Sequence, residues 1–175
     1  MSPIPRPHIR MSPAMPGAAS VVLALGSNLG DSAAILRDAA RELAEVPGLQ
    51  LTGVSPLYES AAVKADGVDH DAPRYQNGIL TAAYTGTPHE LLAAANGIEA
   101  RHGRVREGRW GDRTLDIDII AFGELEFDDA ALTIPHPRAA ERDFVLVPWL
   151  QLDPEAVLPG RGRVDQLLAA LGGDR

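Results

Sequence analysis

Thr114-Leu115-Asp116-Ile117-Asp118-Ile119-Ile120-Ala121-Phe122 is the stretch that decides the fold. Polar and apolar residues alternate through it with the period of a β-strand, and Gly123 ends it. Leu115, Ile117 and Ile119 are therefore expected to face a core, with Asp116 and Asp118 on the opposite side. Upstream, Gly103 to Asp112 is irregular and rich in arginine. Before that segment a helix is expected, with Thr87 as N-cap, Pro88 at its first position and Glu90 in its first turn. It carries Leu91, Leu92, Ala95 and Ile98 and ends near His102.

Working further toward the N-terminus, strands are expected from Arg74 to Tyr84 and from Leu49 to Tyr58. The polar stretch between them, Glu59 to Pro73, is too long for a tight hairpin and reads as a loop with room for a function. Asp31 can cap a helix with Ile35, Leu36, Ala39, Leu43 and Val46 on one face, stopped by Pro47-Gly48. Val21 to Leu25 is a short buried strand ended by Gly26, and Gly26 to Asp31 reads as a tight turn, since it lacks the endings of the known phosphate loops. The order β-α-β-β-α-β predicts an α+β, ferredoxin-like βαββαβ core. Its antiparallel sheet should carry helices on one face. Phe144 to Leu150 and a helical Val164 to Leu171 are expected as C-terminal additions.

A chain of 175 residues suits one domain, taken here as residues 20–175. Residues 1–19, with Pro3, Pro5, Pro7, Pro13 and Pro16, are expected to form a disordered extension. A net charge of -8 argues against a nucleic-acid partner. With no cysteine, disulfides, thiolate metal sites and cysteine nucleophiles are excluded. The apolar run from Val21 to Leu25 is too short for a signal or spanning segment, so no membrane partner is expected and a cytoplasmic monomer is.

Asp116 and Asp118, two apart on one strand, put their carboxylates on the same face, about 6–7 Å apart along the chain. Such a pair is either a solvated strand face or a site for a hard cation such as Mg²⁺, which takes one or two carboxylates along with water and phosphate oxygens. Just upstream, Arg101, Arg104, Arg106, Arg109 and Arg113 cluster in an otherwise acidic chain. Guanidinium groups match phosphate oxygens in bidentate fashion, so the cluster beside the carboxylate pair points to phosphoryl transfer.

Several motifs together resemble the 6-hydroxymethyl-7,8-dihydropterin pyrophosphokinase family. They are Ala24-Leu25-Gly26-Ser27-Asn28-Leu29-Gly30, Ser55-Pro56-Leu57-Tyr58, Tyr75-Gln76-Asn77, Arg109-Trp110-Gly111-Asp112-Arg113-Thr114-Leu115-Asp116-Ile117-Asp118 and Ile134-Pro135-His136-Pro137. The resemblance covers most of residues 20–160 and implies transfer of the β,γ-diphosphate of ATP to the pterin's hydroxymethyl group, giving AMP, in folate biosynthesis. It implies two Mg²⁺ ions on Asp116 and Asp118, with Arg104 and Arg113 catalytic. ATP would meet Glu99, Arg106, Ile119, His136 and Arg142. The pterin would meet Tyr75, Asn77, Trp110 and Phe144. The chain departs from the family at Glu107-Gly108, at Asp112 and in the loop from Ser60 to Pro73. An RNA-recognition domain shares the element order, but it needs exposed aromatics and a basic face where this chain has Asp116 and Asp118.

Overall fold

Residues 17–28, 31–60, 62–64, 67–69, 74–102 and 115–173 are described by the computed structural model. The main sheet is built from β1 (Ala19–Ser27), β2 (Leu49–Val54), β3 (Tyr58–Ser60), a long β6 (Tyr75–Tyr84) and β7 (Asp116–Phe122). Between β3 and β6 stands a small hairpin, β4 (Ala62–Lys64) and β5 (Gly67–Asp69). The strands run in the order β2-β6-β1-β7, every pair antiparallel, with β3 also on β6. This is the expected ferredoxin-like core. Two readings need correction. The strand expected from Leu49 to Tyr58 is two strands, broken by Ser55-Pro56-Leu57, because Pro56 has no N–H for the ladder. Part of the expected loop after Glu59 is the β4–β5 hairpin.

α1 (Ser32–Ala44) begins as predicted, with the Asp31 carboxylate accepting from the Ala34 N–H at 3.2 Å. α2 (Pro88–Arg101) has the full capping box, in which the Thr87 hydroxyl accepts from Glu90 N and the Glu90 carboxylate accepts from Thr87 N. Leu36, Leu43, Leu91 and Ile98 of these helices bury against Val21, Leu23, Leu80, Ile117 and Ile119 on one face of the sheet. Glycine is required at Gly48, where φ is +81° and the chain turns from α1 into β2.

The other face is covered by the C-terminal segment. After the short pair β8 (Phe127–Asp128) and β9 (Thr133–Ile134) come α3 (Asp143–Leu152), the pair β10 (Val157–Leu158) and β11 (Gly162–Arg163), and α4 (Val164–Gly173). Val145, Leu146 and Trp149 pack on Val22, Ile79, Ile120 and Ala121. Helices thus lie on both faces, two from the core repeat and two from the additions.

β7 departs from strict alternation. Its register against β1 slips between Val22 and Leu23, so that Val22 pairs with Ala121 and Leu23 with Ile119. Ile120 is the extra residue of a β-bulge, and Ile120 and Ala121 both pack under α3 while Phe122 returns to the α1–α2 side. The aspartates therefore share a face with α3, and Ile117 and Ile119 are buried on the other.

Candidate active site

Where the N-terminus of α3 stands over the sheet, a cleft of about 190 Å³ opens. Its floor is Ala24, Leu25 and Gly26 of β1 and Asp116 and Asp118 of β7. One wall is Ser60, Tyr75 and Asn77; the other is Arg142, Phe144 and Val145. Six of the residues singled out from sequence meet in this cleft, although they come from three separate parts of the chain.

Gly26 and Ser27 are not a turn. They extend β1, where Gly26 pairs with Asn77 on one side and with Asp116 on the other. A Cβ on Gly26 would stand 3.3 Å from Asn77 Oδ1 and 3.6 Å from the Tyr75 ring, so glycine keeps the floor open. Asn77 is buried, and its Nδ2 donates to Tyr58 O at 2.8 Å and to Ser60 Oγ at 2.9 Å. With both donor directions used, the amide oxygen is the end turned toward Gly26. Among the described residues, the buried Ser27 hydroxyl below finds no hydrogen-bond partner.

Arg142 lies across the cleft. Its Nη1 is 3.7 Å from Asp118 Oδ2, and its guanidinium carbon is 5.4 Å from the centre of the Phe144 ring. Burial lowers the Arg142 pKa and the Asp118 charge opposes that, while the group stays cationic. Asp118 is 43% exposed on its side chain, which leaves its carboxylate open to a ligand. Among the described residues no three His, Cys, Asp or Glu side chains gather to hold a metal. Two hard carboxylate ligands fit Mg²⁺ all the same, because that ion draws its remaining oxygens from water and phosphate.

His136 sits beside this cleft, on the turn after the cis Ile134–Pro135 bond. Its N–H donates to Ile120 O at 2.9 Å, and its Nδ1 accepts from Arg138 N at 3.2 Å. Burial is the main cause holding its pKa below the ordinary histidine value; Asp118 raises it and Arg142 and Arg138 lower it further. The ring is neutral near pH 7.

Glu99 and Ile119 lie on the other face of the sheet and do not line the cleft. Glu99 is 4% exposed, and its Oε2 accepts from Ile117 N at 2.9 Å, which satisfies a donor on the edge strand β7. Glu99→Ala would strand that N–H in the interior, so a loss of about 1–3 kcal/mol is expected. Urea denaturation checks it, and an unchanged midpoint would show the bond to be dispensable. Arg104, Arg106, Arg109, Trp110 and Arg113 lie outside the described residues. Sequence reasoning gave no role to Tyr58 or Asp143. Tyr58 lay in a quoted motif, and its position opposite Asn77 is the signal that could have found it.

Paired carboxylates, an arginine and aromatic side chains around one cleft are the groups that an anionic ligand and a flat ring would require. The chain belongs to the 7,8-dihydro-6-hydroxymethylpterin-pyrophosphokinase (HPPK) family, whose model matches residues 22–154. Proteins of Pseudomonas aeruginosa and Methylorubrum extorquens, each named 2-amino-4-hydroxy-6-hydroxymethyldihydropteridine pyrophosphokinase, are both 40% identical to it. The alignments cover 86% and 85% of this chain and 90% and 91% of those proteins. A Mycobacterium tuberculosis protein of the same name is 41% identical over 164 residues, covering 86% of this chain and 83% of its own length. Among solved structures, wild-type Plasmodium falciparum HPPK-DHPS with pterin and p-hydroxybenzoate superposes with a TM-score of 0.69 at 15% identity. That match covers 95% of this chain but only 45% of the longer one, and it shows the shared fold. The family transfers pyrophosphate from ATP to hydroxymethyldihydropterin in folate biosynthesis.

Proposed function

We propose that this cleft is where the chain carries out that transfer. The observation that supports it is the convergence of Asp116, Asp118, Arg142, Tyr75, Asn77 and Phe144 on one opening. The pterin ring lies between Tyr75 and Phe144, and the Asn77 amide oxygen accepts from its N–H edge. Arg142 and the neutral His136 meet the nucleotide, with Glu99 and Ile119 shaping its site from behind β7. Arg106 also meets the nucleotide, and Trp110 covers the pterin.

The hydroxymethyl oxygen attacks the β-phosphorus, its proton passes to solvent, and the bond from that phosphorus to the oxygen bridging the α- and β-phosphates breaks, with the electron pair leaving on AMP. Asp116 and Asp118 would hold two Mg²⁺ ions, which would supply neutralisation of the charge on the phosphate oxygens. The protein's own share is to orient the alcohol, to bring arginines to the developing charge and to exclude water. No side-chain nucleophile takes part.

The test is product identity. Incubated with ATP, Mg²⁺ and the reduced pterin alcohol, the protein should release AMP in step with the pterin diphosphate. Accumulation of ADP instead would make it an ordinary kinase and overturn the reading.

A further inference from the structure

The two walls of the cleft belong to different parts of the fold. Ser60, Tyr75 and Asn77 stand on β3 and β6, whereas Arg142, Phe144 and Val145 stand at the start of α3. A side-chain bond joins them. The Tyr58 hydroxyl donates to Asp143 Oδ2 at 3.0 Å, across 85 residues of chain. Asp143 is the first residue of α3, flanked by Arg142 and Phe144, which both line the cleft. At its other end, Tyr58 accepts the Asn77 amide through its main-chain oxygen. A single residue therefore touches both the group offered to the pterin edge and the helix that carries the ring's other contact.

We infer that Tyr58 and Asp143 form a strut that sets the spacing of the pterin subsite, making both positioning residues. The inference rests on the function proposed above. Two observations show why the strut tunes the site rather than holding the fold. α3 is already anchored by Val145, Leu146 and Trp149, which are 1%, 0% and 3% exposed. β3, for its part, keeps its ladder to β6 through Tyr58, Glu59 and Ser60. Ahead of those anchors, Arg142 as N-cap makes no side-chain capping bond, so the entry into α3 has no cap of its own. That entry, between Arg142 and Phe144, is the part Asp143 ties down. A hydrogen bond to a carboxylate is among the stronger kinds, and ring stacking demands a well-defined gap.

The experiment titrates 6-hydroxymethylpterin fluorescence in the presence of Mg²⁺ and a non-hydrolysable ATP analogue, beside steady-state rates and melting temperatures. Tyr58→Phe and Asp143→Ala should each weaken pterin binding about tenfold, in line with the loss of one charge-assisted hydrogen bond. KM for the pterin should rise with it while KM for ATP moves far less. Asp143→Asn keeps an acceptor for the hydroxyl and should recover most of the affinity. Because the bond is common to both substitutions, the double variant Tyr58→Phe/Asp143→Ala should lose less than the sum of the two single losses. Unchanged pterin affinity in Tyr58→Phe, or losses that add in the double variant, would overturn the strut and leave the proposed function standing. A wild-type protein that does not bind the pterin would overturn the functional reading, and the strut's role with it.

Discussion

Asp116→Ala or Asp118→Ala is expected to lower turnover by more than about 10²-fold while leaving the metal-free fold nearly as stable as before. The carboxylates share the cleft floor, on the face of β7 away from Ile117 and Ile119, so neither supports the core packed under α1 and α2. Among the described residues the closest charge to Asp118 is Arg142 at 3.7 Å, and a partly exposed pair at that separation is worth about 1 kcal/mol or less. Removing one of two like charges also relieves their repulsion. The sharper readout is ligand-induced stabilisation. Saturating Mg²⁺ with an ATP analogue raises the melting temperature of a protein that binds them in the folded state, by the equivalent of ~2.7 kcal/mol at a hundred times Kd. The aspartate variants should lose most of that rise. Should their metal-free melting temperatures fall by many degrees instead, the carboxylates are structural and the metal assignment fails.

The sequence carried the element order because each signal was local. Asp31 and Thr87 announced their helices through side chains that bond within three residues, and both caps formed. The alternation of Leu115 to Ile119 placed the two aspartates on one face. It could not show the bulge at Ile120, because that slip is measured against Val22 and Leu23 on another strand. Nor could a window of a few residues show that Gly26 and Ser27 have partner strands at hand, which is what makes them strand rather than turn. The site divides along the same line. Tyr75 and Asn77 were named through a motif and Arg142 and Phe144 through the family resemblance, and the fold brings them together. Tyr58 and Asp143 gain their significance from a bond across 85 residues, which no spacing in the sequence encodes. Glu99 accepts from Ile117 N, a bond that no motif discloses, since it forms only once β7 lies beside α2.

Arg104→Ala and Arg113→Ala are expected to lower kcat by about 10²-fold or more, the cost seen when one donor to a transition state is removed. Both arginines belong to the cluster that precedes Asp116, within a chain of net charge -8. Among the described residues Arg142 is the cation that lines the cleft, and it is engaged with Asp118 and Phe144. Charge that builds on two phosphates as the bond to AMP breaks calls for more than that one guanidinium, and we propose that Arg104 and Arg113 supply the rest. An interaction made only as that charge develops lowers kcat and leaves ground-state binding in place. The dissociation constant for an ATP analogue with magnesium, measured by calorimetric titration, should therefore move far less than the rate. Lysine at either position should rescue only in part, because a point charge does not reproduce the two parallel bonds of a guanidinium fork. If affinity falls as far as turnover does in the alanine variants, these arginines hold ATP and do not act on its transition state.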